Sequence, residues 1–224
     1  MTEILKMRKK IKFYTTNSDI FIDRPRPAIY EPPTWLINLK NVVNGTRTMR
    51  SCPPFIDALS VGYHLTLSAD IYIDKGQLQQ ISILPAVVQF SSDMVDVNAI
   101  PDEFIKSPFQ LQNYFITKTP RGYSSLVVQP LNRPDLPFMV MSGLVETDTF
   151  PAPIKPFFFI RKDFTGIIKE GTPIAQLIPI KREPWKSKVQ DDKTRTIPQR
   201  FLEKVNNPPF DFYKKNFWKL KRYE

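Results

Sequence analysis

Short runs of apolar residues, alternating with polar ones or continuous over a few positions, follow one another along most of the chain. In the second half they are separated by turn-forming residues and occupy residues 114–118, 125–129, 138–145, 157–161, 166–169 and 174–180. Residues 66–73 alternate polar and apolar positions, and residues 79–90 contain one or two more runs around Pro85. Short strands at this spacing, without amphipathic helices between them, predict a mostly β sandwich or barrel.

The first fifty residues are rich in proline and predict an extended segment that precedes the strand-rich core. Prolines recur within residues 24–27 and 31–33, where they disfavour a helix and favour an extended or polyproline-like chain. Residues 34–37, which include Trp35, predict a short strand or docking segment.

Two local turn patterns follow this segment. Asn44-Gly45 is typical of the type I′ turn of a hairpin, which we expect between residues 38 and 52. Residues 53–59 then predict a turn followed by about one turn of helix, with Asp57 near the start of that helix.

The last forty residues also differ from the strand-rich region. Residues 197–205 permit a short helix, and residues 210–218 interleave aromatic side chains with lysines. Such a pattern can stack bases beside phosphate-binding charges, but packing of the aromatic rings on the protein's own body or on a neighbouring subunit is the favoured interpretation. The chain therefore divides into an N-terminal segment (1–50), a core (51–183) and a basic C-terminal arm (184–224).

The net charge of +10 lies in the two ends of the chain. Residues 1–12 carry five basic and one acidic side chain, residues 181–224 carry thirteen and six, and residues 13–180 carry fourteen and fifteen. The body is therefore close to neutral. Basic ends of this kind can bind nucleic-acid phosphates non-specifically, bind an acidic partner, or keep the protein in solution.

Cysteine content and hydropathy indicate the expected environment. Cys52 is the single cysteine, so the chain cannot form an internal disulfide and gives no indication of an oxidising compartment. No apolar run approaches the roughly 18–20 residues of a membrane-spanning helix. We expect a soluble cytoplasmic protein with no membrane partner, and the lack of zinc-site spacings predicts no metal or cofactor.

Four segments occur in an order and spacing that resemble the first four motifs of the dUTPase and dCTP deaminase superfamily. They are GYHL at residues 62–65, TPRGYSSL at 119–126, GLVETD at 143–148 and GTPIAQL at 171–177. The resemblance implies a β-clip fold, a homo-oligomer that is usually a trimer, and nucleotide sites between subunits.

The same resemblance implies roles for individual side chains. Glu146 would stand where the family has its water-activating aspartate, which makes it the candidate catalytic residue. Asp148 lies two positions further along and would share its strand face, although an exposed pair of turn carboxylates is the default interpretation. The side chains that would contact nucleotide phosphates are Arg121, Ser124, Ser125 and Gln176.

The sequence departs from the dUTPase pattern in three places. His64 replaces the aspartate that holds the metal ion, and a neutral imidazole is a poor ligand for Mg²⁺. Thr149-Phe150-Pro151 stands where the family has Tyr-Arg-Gly, and no glycine follows Gly171, so the glycine-rich closing arm has no counterpart in these residues. These departures argue against metal-assisted hydrolysis.

The longer stretch from Trp35 to Trp185 looks like an uncharacterised family of phage, cyanophage and bacterial proteins. The resemblance rests on CPPFIDA at residues 52–58 and on the three later motifs described above. It implies a phage-encoded protein in the host cytoplasm or in the virion, and it implies no activity.

Three functional hypotheses follow. The first is a non-hydrolytic β-clip protein that acts as an oligomeric binding or structural component. The alternative is a divergent nucleotide hydrolase or deaminase that binds a nucleotide ligand. The third is a nucleic-acid-associated protein that acts through its basic ends.

Overall fold

The computed structural model describes residues 9–15, 24–81, 86–90, 96–189, 203 and 212–223. This part of the chain is mostly β and forms antiparallel sheets, as the apolar runs predicted. Within it, the sheets do not close into a barrel. The helix predicted at residues 197–205 lies outside the described residues except for residue 203, as do residues 82–85 of the strands predicted at 79–90.

The described strands are short, as expected for a chain with frequent turn residues. In chain order they are β1 (Lys12–Tyr14), β2 (Arg26–Pro27), β3 (Val42–Val43), β4 (Thr46–Arg47), β5 (Tyr63–Thr66), β6 (Ile71–Asp74), β7 (Gln77–Ile81), β8 (Val87–Gln89), β9 (Phe109–Leu111), β10 (Ile116–Lys118), β11 (Tyr123–Val128), β12 (Phe138–Val140), β13 (Gly143–Val145), β14 (Phe157–Ile160), β15 (Gly166–Ile168) and β16 (Pro173–Lys181). The α-helices whose bounds are described are α1 (Thr34–Asn38), α2 (Pro53–Ser60) and α3 (Phe212–Asn216).

β16 is the longest described strand and the middle strand of the largest sheet. That sheet has the order β13-β11-β16-β5-β2, and every pairing in it is antiparallel. A second sheet has the order β12-β14-β9-β8 and a third the order β15-β6-β7, while β1 pairs with β10 and β3 pairs with β4.

The three larger sheets bury their apolar faces in one common core. Leu65 of β5, Ile73 of β6 and Phe158 of β14 all belong to it. The Phe158 ring lies 5.6 Å from the Phe109 ring and 5.5 Å from the Phe138 ring, centroid to centroid. Aromatic residues bury large areas each, so these three rings fill a large part of the common core.

Two runs that were each predicted as one strand are split between two sheets. In the run at residues 66–73, Leu67 donates its backbone N–H to Thr172 and accepts from Gly171, after which the chain bends and enters β6. In the run at residues 138–145, β12 pairs with β14 whereas β13 pairs with β11. The single-strand prediction was wrong at both places, and at residues 66–73 the reason is that alternating burial continues through the bend.

The N-terminal segment contains the predicted hairpin, and it contains a helix where a short strand or docking segment was predicted. β3 and β4 form the predicted hairpin, and Asn44 and Gly45 both have the positive φ, 49° and 74°, of a type I′ turn. Residues 34–37 form α1 rather than a strand. Arg50 donates to the carbonyls of Leu36, Ile37 and Leu39, which satisfies the C-terminal end of α1.

The helix predicted after Cys52 is longer than expected. α2 has eight residues and carries Pro53 at its first position, as helix starts favour. Asp57 lies past the middle of α2 rather than near its start. It accepts a 3.0 Å hydrogen bond from Trp218 Nε1 and forms an ion pair with Lys221. This end of the C-terminal arm therefore packs on the body of the protein, as the favoured interpretation predicted.

Gly62, just before β5, permits a close approach to the backbone of β16. It has φ +74°, and a Cβ atom there would lie 2.2 Å from the carbonyl oxygen of Leu177. Gly171 also has positive φ, at +77°, but nothing lies within 4 Å of its would-be Cβ. None of the helices in the described part of the chain is long and apolar enough to cross a membrane.

We therefore predict that Gly62→Ala lowers the free energy of unfolding by about 3 kcal/mol or more, because it adds a backbone clash to the strain of positive φ. Gly171→Ala is the matched control and should lose only the roughly 1–2 kcal/mol of that strain. Urea unfolding of the two variants measures the difference. Equal losses of unfolding free energy in the two variants would contradict the close approach of Gly62 to Leu177.

Candidate functional site

The four segments that resemble dUTPase motifs lie side by side in the five-stranded sheet. Residues 62–65 lie mainly in β5, residues 119–126 run into β11, residues 143–148 begin as β13, and residues 171–177 run into β16. The sheet order β13-β11-β16-β5 makes these four strands consecutive neighbours. Segments that are more than a hundred residues apart in sequence thus lie side by side in one sheet.

Gln176 is fully buried, and its side-chain amide joins three parts of the fold. Nε2 donates to the carbonyls of Ala58, at 3.0 Å, and Val61, at 2.6 Å, at the C-terminal end of α2. Oε1 accepts a 2.8 Å hydrogen bond from the backbone N–H of Leu131. The amide that was predicted to reach a phosphate is therefore engaged in holding α2 and the loop after β11 on β16.

Asp148 and Arg182 form an ion pair that also includes Ser124. Arg182 donates 2.9 Å hydrogen bonds to Asp148 Oδ1 and to Ser124 Oγ, and a further bond to Asp148 Oδ2. The backbone N–H of Gly122 donates to Asp148 Oδ2 at 2.8 Å. The Arg182 guanidinium and the Gly122 N–H lower the pKa of Asp148 from its ordinary 3.8 to about 2.

Ser125 belongs to a buried chain of hydroxyl groups. Its Oγ lies 2.8 Å from Thr147 Oγ1, which lies 2.8 Å from Thr119 Oγ1. Thr119 in turn donates to the carbonyl of Tyr123 at 2.8 Å. Since Ser125 is 0% exposed, this hydroxyl ties β11 to the turn after β13 and does not face solvent.

The remaining predicted residues do not assemble into a catalytic group. Glu146 and Arg121 are exposed, whereas the Asp148 side chain is only 4% exposed and is engaged by Arg182. The expectation of an exposed Glu146 and Asp148 pair is therefore wrong for Asp148, because a distant arginine covers it. His64 is buried, and its Nδ1 lies 2.9 Å from Glu31 Oε2.

A cleft of about 800 Å³ lies where the two described ends of the chain meet. Residues 9–12 form one side of it, and Leu220, Arg222 and Tyr223 form another. The body contributes Thr119, Pro120 and Pro179. Its volume falls within the range of typical ligand pockets. We call it the basic cleft, defined by four cationic and three aromatic side chains: Lys9, Lys10, Lys12, Arg222, Tyr63, Tyr123 and Tyr223.

No carboxylate is among the described residues that line the basic cleft. Lys9 Nζ lies 4.8 Å from the centroid of the Tyr123 ring, which is a cation–π contact. Lys12 lies directly opposite Lys118 in the pairing of β1 with β10. Like charges opposite one another on paired strands are unfavourable, so this part of the surface concentrates positive charge.

Three aromatic rings hold the two chain ends together at this cleft. Tyr63 of β5 packs edge to face against Phe13, with ring centroids 5.3 Å apart, and against Tyr223, at 6.3 Å. We call Phe13, Tyr63 and Tyr223 the aromatic clasp. It attaches β1 and the end of the C-terminal arm to a strand of the five-stranded sheet.

Sequence reasoning placed positive charge in both ends of the chain but did not predict that they converge. The pattern that could have indicated it is the aromatic residue beside each basic run, Phe13 after Lys12 and Tyr223 after Arg222. The TPRGYSSL motif does contribute to a cavity, but through Thr119, Pro120 and Tyr123 rather than through Ser124 and Ser125.

We predict that Gln176→Met lowers the free energy of unfolding by about 3 kcal/mol or more, because three buried backbone groups lose their partner. Gln79→Met is the control, since Gln79 is exposed, and it should change stability by about 0.5 kcal/mol or less. Urea unfolding measures both. If Gln176→Met lowers the unfolding free energy no more than Gln79→Met does, the structural role of the amide is contradicted. The amide would then be available for the predicted phosphate contact.

The ion pair of Asp148 predicts a pH-dependent contribution to stability. Because the pKa of Asp148 is lower in the folded protein, its contribution is present above about pH 4 and is lost as the pH falls toward 2. The difference in unfolding free energy between the wild type and Asp148→Asn should therefore be largest at neutral pH and shrink below pH 4.

A double-mutant cycle with Arg182→Met should show coupling between the two side chains at pH 7 and less at pH 3. Urea unfolding at each pH supplies the values. A difference between the wild type and Asp148→Asn that stays constant from pH 7 to pH 3 would contradict the assignment.

Compared with known proteins, the chain matches no protein-family model and no curated protein. Within the described ranges, no three His, Cys, Asp or Glu side chains are grouped so that they could hold a metal ion. Its function is therefore inferred from its own residues.

Proposed function

We propose that the protein is a non-hydrolytic binding protein with a β-clip core, and that the basic cleft binds an anionic ligand. The observation that carries the proposal is the composition of this cleft, which is lined by four cationic side chains and by no carboxylate of the described residues. Clefts lined by one sign of charge concentrate ligands of the opposite sign.

The arrangement of the four motifs supports a β-clip core. In the five-stranded sheet, the strands that carry them are consecutive neighbours, although the motifs are dispersed over residues 62–177. A chance match to four short motifs would not require them to meet in one sheet.

The internal contacts of the motif residues support binding without hydrolysis. Ser124, Ser125 and Gln176 are fully buried and each makes at least one internal hydrogen bond. The alternative function, a divergent nucleotide hydrolase or deaminase, would need these side chains to leave their partners in order to contact phosphate. That exchange would leave buried groups without partners, which is costly.

A homo-oligomer, such as a trimer, is part of the same proposal. Within the described part of the chain, β13 is an edge strand of the five-stranded sheet; Leu144 in this strand and Met141 just before it are exposed. Exposed apolar edge strands favour pairing with another chain. From the resemblance to phage proteins, the proposal includes that a phage encodes the protein and that it acts in the host cytoplasm or in the virion.

We predict that inorganic polyphosphate stabilises the protein at low salt. At a concentration about 100 times its dissociation constant, a ligand adds about 2.7 kcal/mol, which raises the melting temperature by roughly 5–10 °C for a chain of this size. Thermal unfolding measures the shift. Two variants with the same change in net charge distinguish local from general attraction. The cleft variant is Lys9→Gln, Lys10→Gln and Lys12→Gln, and the body variant is Lys40→Gln, Lys75→Gln and Lys162→Gln.

The cleft variant should lose most of this shift and the body variant should keep it. Equal shifts in melting temperature for the two variants would mean that polyphosphate binds outside the basic cleft. Release of pyrophosphate from dUTP or dCTP in the presence of Mg²⁺, abolished by Glu146→Gln, would overturn the non-hydrolytic function and favour the enzyme.

A further inference from the structure

The basic cleft has two properties beyond its charge that narrow the choice of ligand. Tyr123 and Tyr223 line it while remaining partly exposed, so a ligand in the cleft contacts aromatic rings as well as cations. Arg222 adds a planar guanidinium, which both binds phosphate and stacks on flat rings. A ligand that uses all of these groups has phosphates and flat rings.

Among the described residues, the four cations of the cleft have no competing carboxylates. Within the described ranges, no salt bridge involves Lys9, Lys10, Lys12 or Arg222, whereas Arg182 and Lys221 are paired with Asp148 and Asp57. A cation that is already paired has to exchange its partner when a ligand binds. The cleft cations are therefore the ones best placed to neutralise a ligand's charge.

We propose that the basic cleft binds single-stranded nucleic acid, with Lys9, Lys10, Lys12 and Arg222 on the phosphates and Tyr123 and Tyr223 against the bases. This inference rests on the proposed binding function and names its ligand. Grooves that bind single strands combine cations along the backbone with aromatic rings on which the bases stack. The bases of a duplex are already stacked on one another, so rings in a cleft reach them only in a single strand.

An acidic peptide is the competing occupant. Its carboxylates would pair with the same cations, but an acidic side chain has no flat ring to place against Tyr123 or Tyr223. The combination of rings and cations therefore favours a nucleic acid, and a direct comparison with polyglutamate tests this choice.

The experiment is a fluorescence anisotropy titration of the full chain with labelled oligodeoxythymidylate of about ten nucleotides, a length within the range of known single-strand sites. At 50 mM NaCl we expect saturable binding that the cleft variant weakens at least tenfold and the body variant leaves nearly unchanged. The slope of log affinity against log salt should fall by about 2 in the cleft variant, since each lost phosphate contact removes about 0.7.

A second pair of measurements separates bases from phosphates. Tyr123→Leu should weaken oligodeoxythymidylate binding by about fivefold or more, because stacking on a base is lost, and should leave polyphosphate binding unchanged. Arg222→Gln, which leaves β1 unchanged, should weaken the binding of both oligodeoxythymidylate and polyphosphate. The melting temperature of each free variant shows whether it is folded.

Each contrary result has a distinct meaning. The nucleic-acid inference fails, while the proposed anion-binding function stands, if polyphosphate binds in the cleft but oligodeoxythymidylate does not. The same conclusion follows if Tyr123→Leu changes the affinity for neither ligand. Tighter binding of polyglutamate than of the oligonucleotide overturns the inference in favour of an acidic peptide. If neither polyphosphate nor the oligonucleotide binds, both proposals fail.

Discussion

The fold depends on a buried amide in the middle of its central strand. Gln176 has to donate twice and accept once without access to water, because an unpaired polar group in the core destabilises the folded state. The carbonyls at the end of α2 and the backbone N–H of Leu131 satisfy it only together. Because the C-terminal arm docks on Asp57 of α2, the same amide also determines where the end of the chain lies.

Local patterns predicted those elements whose geometry is local. Asn44-Gly45 formed its hairpin because both residues accept positive φ, and the apolar runs in the second half became strands because their alternation matches the pleat. Sheet membership depends on partners far along the chain. The turn from β5 to β6 is fixed by Gly171 and Thr172, which no pattern within residues 66–73 reveals.

The candidate site shows the same division between local and distant information. The polar residues of the motifs were selected from the sequence by their resemblance to nucleotide-binding motifs. Whether a buried hydroxyl or carboxylate faces a ligand or a protein partner is decided by Arg182, which lies 58 residues from Ser124 and 34 from Asp148. The basic cleft depends on a still longer separation, because its two sides come from opposite ends of the chain.

The convergence of the two basic ends needs an attraction that outweighs their repulsion. No ion pair within the described ranges joins residues 9–12 to residues 220–223; both are instead anchored on Tyr63 through the rings of Phe13 and Tyr223. Contacts between apolar ring surfaces are little affected by salt, whereas the attraction of surface cations for an anion is strongly screened. The cleft can therefore keep its shape under conditions in which it releases a charged ligand. The cations of the chain ends bind the ligand, whereas aromatic rings hold those ends in place. The stability of the site therefore does not depend on whether a ligand occupies it.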